Sequence, residues 1–506
     1  MMMHWDLTQA LALFLHTLGY WWVIIPSVLL GILVGAIPGL NAANTIILLL
    51  PLTLAMDPEV SMFFMVSLYC ATHLGGGIPA ILINVPGTGG AAASTLDGYP
   101  MSLKGMGQQA LAMSFVAATA GGLIASIATL LLLPFLSRIG YYVHSVEMVV
   151  IMLFGVILIA AIAAKNMLKG LIAGVFGLLL GSIGTDTIYS APRATFGFLE
   201  LFSGLPLVPV LIGLFAISEA LIMIEHEIVA SKTVAHDKDA VWAQTLEGIH
   251  MAAQRWWHIV WTSFIGLFIG IIPGAGATIA SFVAYQQSRM YSKTPELYGT
   301  GHPEGLIAPE CANNGVGPGT LVPLMAIGVP GGDTAAVMMI VLQYHGIVLG
   351  PRLFLTTPNL AYGVFIAMLL AYLFMLLTIL PMTRYLSRVT VVSSKYLVPI
   401  IIAFTLVGSF APREYGFDMV VALVFGILGY LCRKTGFHVA ALLIGVVLGP
   451  YIEQNLMRAL RISNGDASVL FSSTLGNMLW AMLVLTLLLP WLRQWWSGRA
   501  TAQPRA

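Results

Sequence analysis

The 506-residue chain reads as an all-α integral membrane protein of about 12 transmembrane helices plus re-entrant helical hairpins, arranged in two inverted structural repeats. Three observations predict this. The first is composition. Hydrophobic residues make up 58% of the chain and charged residues 8%, with a mean hydropathy of +0.92, whereas a soluble domain carries roughly 25% charged residues. The second is a succession of apolar stretches near the ~20 residues that a bilayer-spanning helix needs. They lie at 20–37, 60–74, 110–136, 146–164, 168–184 and 205–224, and again at 257–272, 360–380, 396–411, 418–431, 436–452 and 470–491. The third is a set of shorter apolar segments broken by Pro-Gly, which recurs in the two halves.

Charge and motifs narrow the function. With 22 basic and 21 acidic residues, net +1, the chain offers neither a nucleic-acid surface nor a polybasic lipid patch. No Gly-Lys dipeptide occurs, hence no Walker A loop, and neither HExxH nor GxSxG is present, which disfavours ATP hydrolysis and enzyme chemistry. A TVGYG channel filter is missing too. Cys70, Cys311 and Cys432 have no metal-like spacing and an odd count, so they read as small apolar fillers. The N-terminal apolar run lacks a basic segment before it, and no cleaved signal peptide is expected. Counting Lys and Arg in short loops places Lys165, Lys169, Lys232, Lys238, Arg255, Arg384, Arg388, Lys395, Arg433, Lys434, Arg493, Arg499 and Arg505 on the cytoplasmic side. Arg138, Arg193, Arg413, Arg458 and Arg461 form an outward minority.

Self-comparison exposes the repeat. GILVGAIPGLNAANTIILLLP (31–51) aligns with GLFIGIIPGAGATIASFVAYQ (266–286), matching Gly31 with Gly266, Gly35 with Gly270, Pro38 with Pro273 and Gly39 with Gly274. GGGIPAILINVPGTGG (75–90) aligns with GTLVPLMAIGVPGGDT (319–334), matching Pro79 with Pro323 and Val85-Pro86-Gly87 with Val329-Pro330-Gly331. The chain therefore divides into a first repeat (1–225), a cytoplasmic connecting loop (226–255) and a second repeat (256–506). Residues 20–56 and 257–290 read as helical hairpins turning at membrane depth, with ordinary full spans as the alternative.

Two Pro-Gly interruptions in corresponding positions of repeated halves point to a transporter binding site. Unpaired backbone in hydrocarbon costs several kcal/mol per group, so such breaks persist only where protein or a water-filled cavity covers them. Their helix ends attract anions where a helix starts and cations where one stops. Asn84, Pro86, Gly87, Thr88 and Gly89 form the first break, before AAASTL. Pro330, Gly331, Gly332, Asp333 and Thr334 form the second, with Asp333 as a helix N-cap, a cation ligand, or both. Asn41, Asn44 and Thr45, and Thr278 with Ser281, are polar groups on otherwise apolar helices, for ligand contact or interhelical hydrogen bonds. Asn313 and Asn314 supply uncharged donors and acceptors, or lie in a polar loop turn. Glu310 could balance a cation or be an interfacial carboxylate, and a sodium ion near Asn313 and Asp333 is a candidate. His73 is a packed histidine or a neighbour of the site.

These residues resemble the TctA family, the large membrane subunit of tripartite tricarboxylate transporters. The carrying pieces are GAIPGLNAANTIILLLPLT, GGGIPAILINVPGTGGAAASTLDGYPMSLKG, GIIPGAGATIASFVAY and GHPEGLIAPECANNGVGPGTLVPLMAIGVPGGDTAAVMMIVLQYHGIVLGPRLF. Where the family often reads PGLGP, this chain has Pro38-Gly39-Leu40-Asn41-Ala42. The resemblance implies a multi-pass permease of the bacterial inner membrane, working with a periplasmic solute-binding protein and a small four-helix membrane subunit. It implies uptake of a di- or tricarboxylate, or a related organic carboxylate, without a cofactor beyond co-transported sodium ion or proton. The ligand is expected between the two Pro-Gly breaks. Neither break contains Lys or Arg, and Lys104 is the nearest. A passive channel and a membrane-embedded enzyme are the alternatives.

Overall fold

A computed structural model of the chain describes residues 7–37, 40–139, 143–163, 166–185, 191–225, 238–350, 353–386 and 394–500. Pro38, Gly39, Lys165, Lys232, Arg388 and Arg505 from the sequence reading lie outside the described residues. The described chain is helical apart from one two-stranded ribbon, β1 (Gly184–Thr185) with β2 (Pro192–Arg193). The first part holds α1 (Leu7–Leu18), α2 (Trp21–Gly35), α3 (Ala42–Leu48), α4 (Leu50–Leu54), α5 (Pro58–Gly75), α6 (Gly77–Ile83), α7 (Thr95–Leu103) and α8 (Gly107–Ile139). Next come α9 (Ser145–Ala163), α10 (Met167–Gly181), α11 (Leu207–Leu211), a π-helical turn (Ile212–Ile217) and α12 (Ser218–Glu225). The remainder is α13 (Lys238–Ala253), α14 (Trp256–Ile271), α15 (Gly276–Tyr291), α16 (Pro303–Ile327), α17 (Asp333–Tyr344), α18 (Leu353–Thr356), α19 (Pro358–Leu386), α20 (Ser394–Phe410), α21 (Gly416–Thr435), α22 (Val439–Ile462) and α23 (Thr474–Ala500).

Every apolar stretch named from the sequence contains a helix. Among the described residues, 6 helices are long and apolar enough to cross a membrane, and α1 with α2, bent by 62°, would make a seventh. Helices such as α10 and α14 are equally apolar but shorter. The chain is a multi-pass, all-α membrane protein.

Two compact units emerge, one of residues 1–140 and 208–430, the other of 141–207 and 431–506. In the smaller unit α10 packs on α22 through glycines: a Cβ at Gly181 would stand 2.7 Å from the Val446 carbonyl oxygen, and one at Gly177 3.0 Å from Gly445 Cα. Arg193, in β2 of the ribbon, grips Glu453 of α22 with its two terminal guanidinium nitrogens, at 2.5 and 2.9 Å.

The larger unit repeats one packing motif. Gly31 and Gly35 of α2 lie against α5, where a Cβ would meet the Leu68 carbonyl oxygen at 2.7 Å and Thr72 Cα at 2.9 Å. Gly266 and Gly270 of α14 lie against α16 in the same way, 2.8 Å from Ala312 Cα and 2.7 Å from the Val316 carbonyl oxygen. The aligned positions coincide: Gly31 and Gly35 answer Gly266 and Gly270, and Leu68 and Thr72 answer Ala312 and Val316. Small residues allow backbones to touch, which supplies dispersion contact where no hydrophobic gradient drives helices together.

Two expectations are corrected. The segment 303–327, with its Asn pair open to being a polar loop turn, is one 25-residue helix, buried throughout from Gly305 to Ala326. Pro303 sits in its first turn, where a missing N–H is harmless. The lost donors at Pro309, Pro318 and Pro323 are tolerated because neighbouring helices close around it. In the connection 226–255, a polar tract read as loop, α13 is an ordered helix packed on α8, and a Cβ at Gly248 would meet Ala112 Cβ at 3.0 Å. Residues 226–237 lie outside the described residues.

Candidate functional site

The two VPG breaks are built alike. Helix α6 ends when Asn84 turns left-handed (φ 59°), and Val85 N–H bonds the Pro79 carbonyl at 3.3 Å. Helix α16 ends when Gly328 turns left-handed (φ 74°), and Val329 N–H bonds the Pro323 carbonyl at 3.3 Å. Both are αL helix caps, in which one left-handed residue folds the chain back onto orphan carbonyls. Asn and Gly occupy these positions because they pay least for positive φ. Asn84 thus serves through its backbone, with its side chain exposed.

The following glycines are required by proximity. Gly87 donates its N–H to the Gly76 carbonyl at 3.1 Å, and a Cβ on it would stand 2.8 Å from Gly76 Cα. A Cβ on Gly331 would stand 2.7 Å from the Thr320 carbonyl oxygen. Thr320 aligns with Gly76, so each break lies on the same turn of its preceding helix. The break after α14 joins the second: Gly274 N–H donates to the Gly331 carbonyl at 2.9 Å, while Pro273 forms the turn beside it.

Each second break also packs on the helix that follows the other half's first Pro-Gly. Gly89 approaches Thr278 of α15, where a Cβ would be 2.5 Å from the hydroxyl, and Gly90 faces Ala277 and the Asn313 amide. Reciprocally, α17, which opens with Asp333 and buried Thr334, packs on α3, the helix of Asn44 and Thr45.

Around the first break lies a buried polar cluster. Asn313 accepts from His73 Nδ1–H through its side-chain oxygen at 2.9 Å, and its amide nitrogen donates to the His73 carbonyl at 3.3 Å. Ser94 donates to Glu310 Oε1 at 2.5 Å. Asn314 Nδ2 donates to the Glu310 carbonyl, a bond within α16, and the Asn314 carbonyl accepts from Tyr372 at 2.9 Å. Asn314 is therefore a core amide with its back to the break. Thr88 Oγ1, Glu310 Oε2 and Asn314 Oδ1 are buried without hydrogen-bond partners. At the outer edge Gly89 and Thr278 are exposed, while Asn313 and Glu310 are fully enclosed, so the cluster deepens from an accessible mouth to a buried floor.

The second break carries different chemistry. The Tyr69 hydroxyl meets Thr320 Oγ1 at 3.1 Å. Asn41 caps α3, accepting from Asn44 N–H at 2.8 Å, and the Thr45 hydroxyl donates to the Asn41 carbonyl. Both polar atoms of the Asn44 side chain are buried and unpartnered.

Several candidate roles change. Asp333 is not the N-cap: Gly332 holds that position in extended conformation, no side chain caps the helix, and Asp333 is its first residue. Glu310 is not interfacial but 0% exposed. Asn313 belongs to the His73 cluster, whereas Asp333 follows the break seated on Thr320, which lies seven residues beyond Asn313 on α16, about 10 Å of helix. Among the described residues no group of three or more His, Cys, Asp or Glu could hold a metal ion.

Residues missed in the sequence include Ser94, Tyr69, Thr320 and Asp97. Asp97 of α7, fully buried, accepts from the amides of Gly299 (2.9 Å), Gly301 (2.7 Å) and His302 (2.7 Å) and from the Tyr285 hydroxyl (3.0 Å). This ties the helix after the first break to the entry of α16. Lys104, at the end of α7, donates to the Thr300 carbonyl on the same loop at 2.7 Å. The signal was the DGYP run, which folds as part of α7: an aspartate in an apolar chain needs donors somewhere.

Comparison with known proteins decides the family. The pattern described as "Tripartite tricarboxylate transporter TctA family" matches residues 22–444. The chain belongs to the TctA family. Two Agrobacterium vitis relatives are similar to it: "Uncharacterized 52.8 kDa protein in TAR-I ttuC' 3'region", 32% identical over 473 residues, covering 92% of this chain and 93% of that protein; and "Uncharacterized protein in TAR-II ttuC' 3'region", 32% identical over 231 residues, covering 45% of this chain and 96% of that protein. No solved structure matches. TctA proteins are components of tripartite transporters, which work with partner subunits.

Proposed function

We propose that this TctA protein is the translocating subunit of a secondary-active uptake system for a di- or tricarboxylate, or a related organic carboxylate, in the bacterial inner membrane. In this reading a periplasmic binding protein delivers the substrate, a small four-helix membrane subunit accompanies the chain, and a sodium or proton gradient drives accumulation. The repeats 1–225 and 256–506 are inverted across the membrane, joined by a cytoplasmic connection at 226–255, with about twelve spans in all.

The observation that carries the proposal is the equivalence of the two VPG breaks, each seated on a core helix and each reaching the opposite half. Free amides at the starts of the segments after the breaks offer partial positive charge to a carboxylate, and αL-capped helix ends offer carbonyls to a cation. Such dipoles are each worth roughly 0.3–1 kcal/mol at exposed sites and more when shielded from water. That suits a polyanion in a region with no Lys or Arg. Movement of the breaks relative to the helices beneath them would alternate access.

The test is uptake of labelled citrate, as a tricarboxylate probe, into proteoliposomes holding this chain with its small membrane subunit and binding protein. Accumulation above equilibrium only under an imposed sodium or proton gradient is expected. Equilibration without a gradient would support a passive channel, and chemical conversion of citrate an enzyme.

A further inference from the structure

Glu310 stands out among the ionisable side chains. It is completely enclosed, yet among the described residues it forms no ion pair. Its hydrogen-bond partner is the Ser94 hydroxyl, on Oε1 at 2.5 Å, and the Ser114 hydroxyl of α8 lies near the same carboxyl group, buried and without a hydrogen-bond partner. Oε2 has no hydrogen-bond partner. A carboxylate anion in such surroundings is costly by several kcal/mol, whereas the acid, with one O–H to donate and one oxygen to accept, is compatible with them.

The neighbouring groups sharpen the choice of ligand. On α6 Gly77 lies flat against the carboxyl, where a Cβ would be 3.0 Å from Oε1 and 3.3 Å from Oε2. On α5 the titratable group is His73, one hydrogen bond removed through Asn313. Helix α16 itself adds Cys311, whose thiol donates to the Ala117 carbonyl of α8. Helix α15 brings Thr278 and Ser281, and α14 brings Thr262 and Ser263, all uncharged. The buried carboxylate of α7, Asp97, is occupied by three amides and a phenol. Sodium would need about six oxygens around it, like other hard cations. The glycine backbone pressed on one side and two serines on the other leave room for a proton instead.

We propose that Glu310 is a proton-binding site, neutral in this conformation, and that it carries the proton co-transported with the substrate. The step forms one O–H bond on Glu310 from an aqueous proton and breaks it on the other side of the membrane, with no electron transfer. The first break is the natural gate, because Ser94 and Gly89 belong to the same stretch that separates the enclosed carboxyl from the exposed mouth at Thr278. This inference rests on the transport reading, and its test separates the two.

Infrared difference spectra of the full chain in lipid, recorded as pH is raised, should contain a protonated-carboxyl band at neutral pH. It should be missing in Glu310→Gln, retained in Asp97→Asn, and shifted in pH of onset in Ser94→Ala, a variant that leaves Glu310 itself in place. In proteoliposomes, Glu310→Gln should lose citrate accumulation driven by a pH gradient. A spectrum without that band in the wild type, or one unchanged by Glu310→Gln, would overturn the proposal, as would unimpaired pH-driven accumulation by the variant. Absence of any citrate uptake by the wild type counts instead against the transport reading, and the infrared result still decides whether Glu310 holds a proton.

Discussion

The two breaks share a backbone and differ in what surrounds them. At the first, Asn84 takes the left-handed cap and the chain beyond it closes over Glu310, Ser94, Asn313 and His73. At the second, Gly328 takes the cap and the chain beyond it enters α17, with Asp333 in its first turn and the Tyr69–Thr320 pair and the buried Asn44 amide as polar groups. Glycine packing positions coincide, while nearly every polar side chain is unmatched: Tyr69 aligns with Asn313 and Val66 with Glu310. A duplicated scaffold that has kept its helix contacts and diverged in its polar groups is suited to holding two unlike solutes, an organic anion and its driving cation.

The comparison can be broken most forcefully at the glycines the two sites have in common. Gly87→Leu and Gly331→Leu each drive a side chain into adjacent backbone, an overpacking penalty of typically 1–3 kcal/mol. Both should abolish citrate uptake while membrane insertion, followed by fractionation, stays intact; normal uptake in both would remove the breaks from the mechanism. Next in size is Asp97→Ala, which strands three amides and a phenol that now share one buried carboxylate. Charge-assisted bonds of this kind contribute about 1.5–3 kcal/mol each, so thermal unfolding in detergent should begin at clearly lower temperature, with no comparable effect from the corresponding residue of the second half, Val341→Ala.

Smaller effects separate the polar floors. Asn313→Ala should weaken citrate uptake strongly, since it releases His73 and removes the amide that Gly90 faces, whereas Tyr69→Phe loses one hydroxyl contact worth about 1 kcal/mol and should leave most uptake in place. Equal losses would mean that the two floors act alike. The smallest change is Asp333→Asn. Because Asp333 is the first residue of α17 and not its cap, only a dipole interaction of roughly 0.3–1 kcal/mol is at stake in stability. A marked change in sodium dependence of uptake would reveal cation binding at the second break, and unchanged cation dependence would confine Asp333 to the helix start.

Much of the scaffold was legible because its causes are local or periodic. Apolar runs announced the helices, and the Gly31/Gly266 and Gly35/Gly270 matches marked the positions where α2 meets α5 and α14 meets α16. The VPG motifs announced the ends of α6 and α16, since proline and a left-handed cap act within a few residues. Helix α16 was harder. Pro309, Pro318 and a run of Asn and Gly argue for a loop when judged locally, and only the helices wrapped around it restore the missing hydrogen bonds.

By itself, then, the amino-acid order determined a membrane-embedded, helical chain with a repeated pair of Pro-Gly interruptions, because hydrophobicity, proline and glycine act through short-range energetics that need no partner. Tertiary structure alone decided which polar residues meet. Glu310 finds Ser94 at a separation of 216 residues, Asn313 finds His73 across 240, and Asp97 finds the amides at 299–302. Those encounters depend on how helices from the two halves pack together, and no periodicity along the chain encodes them.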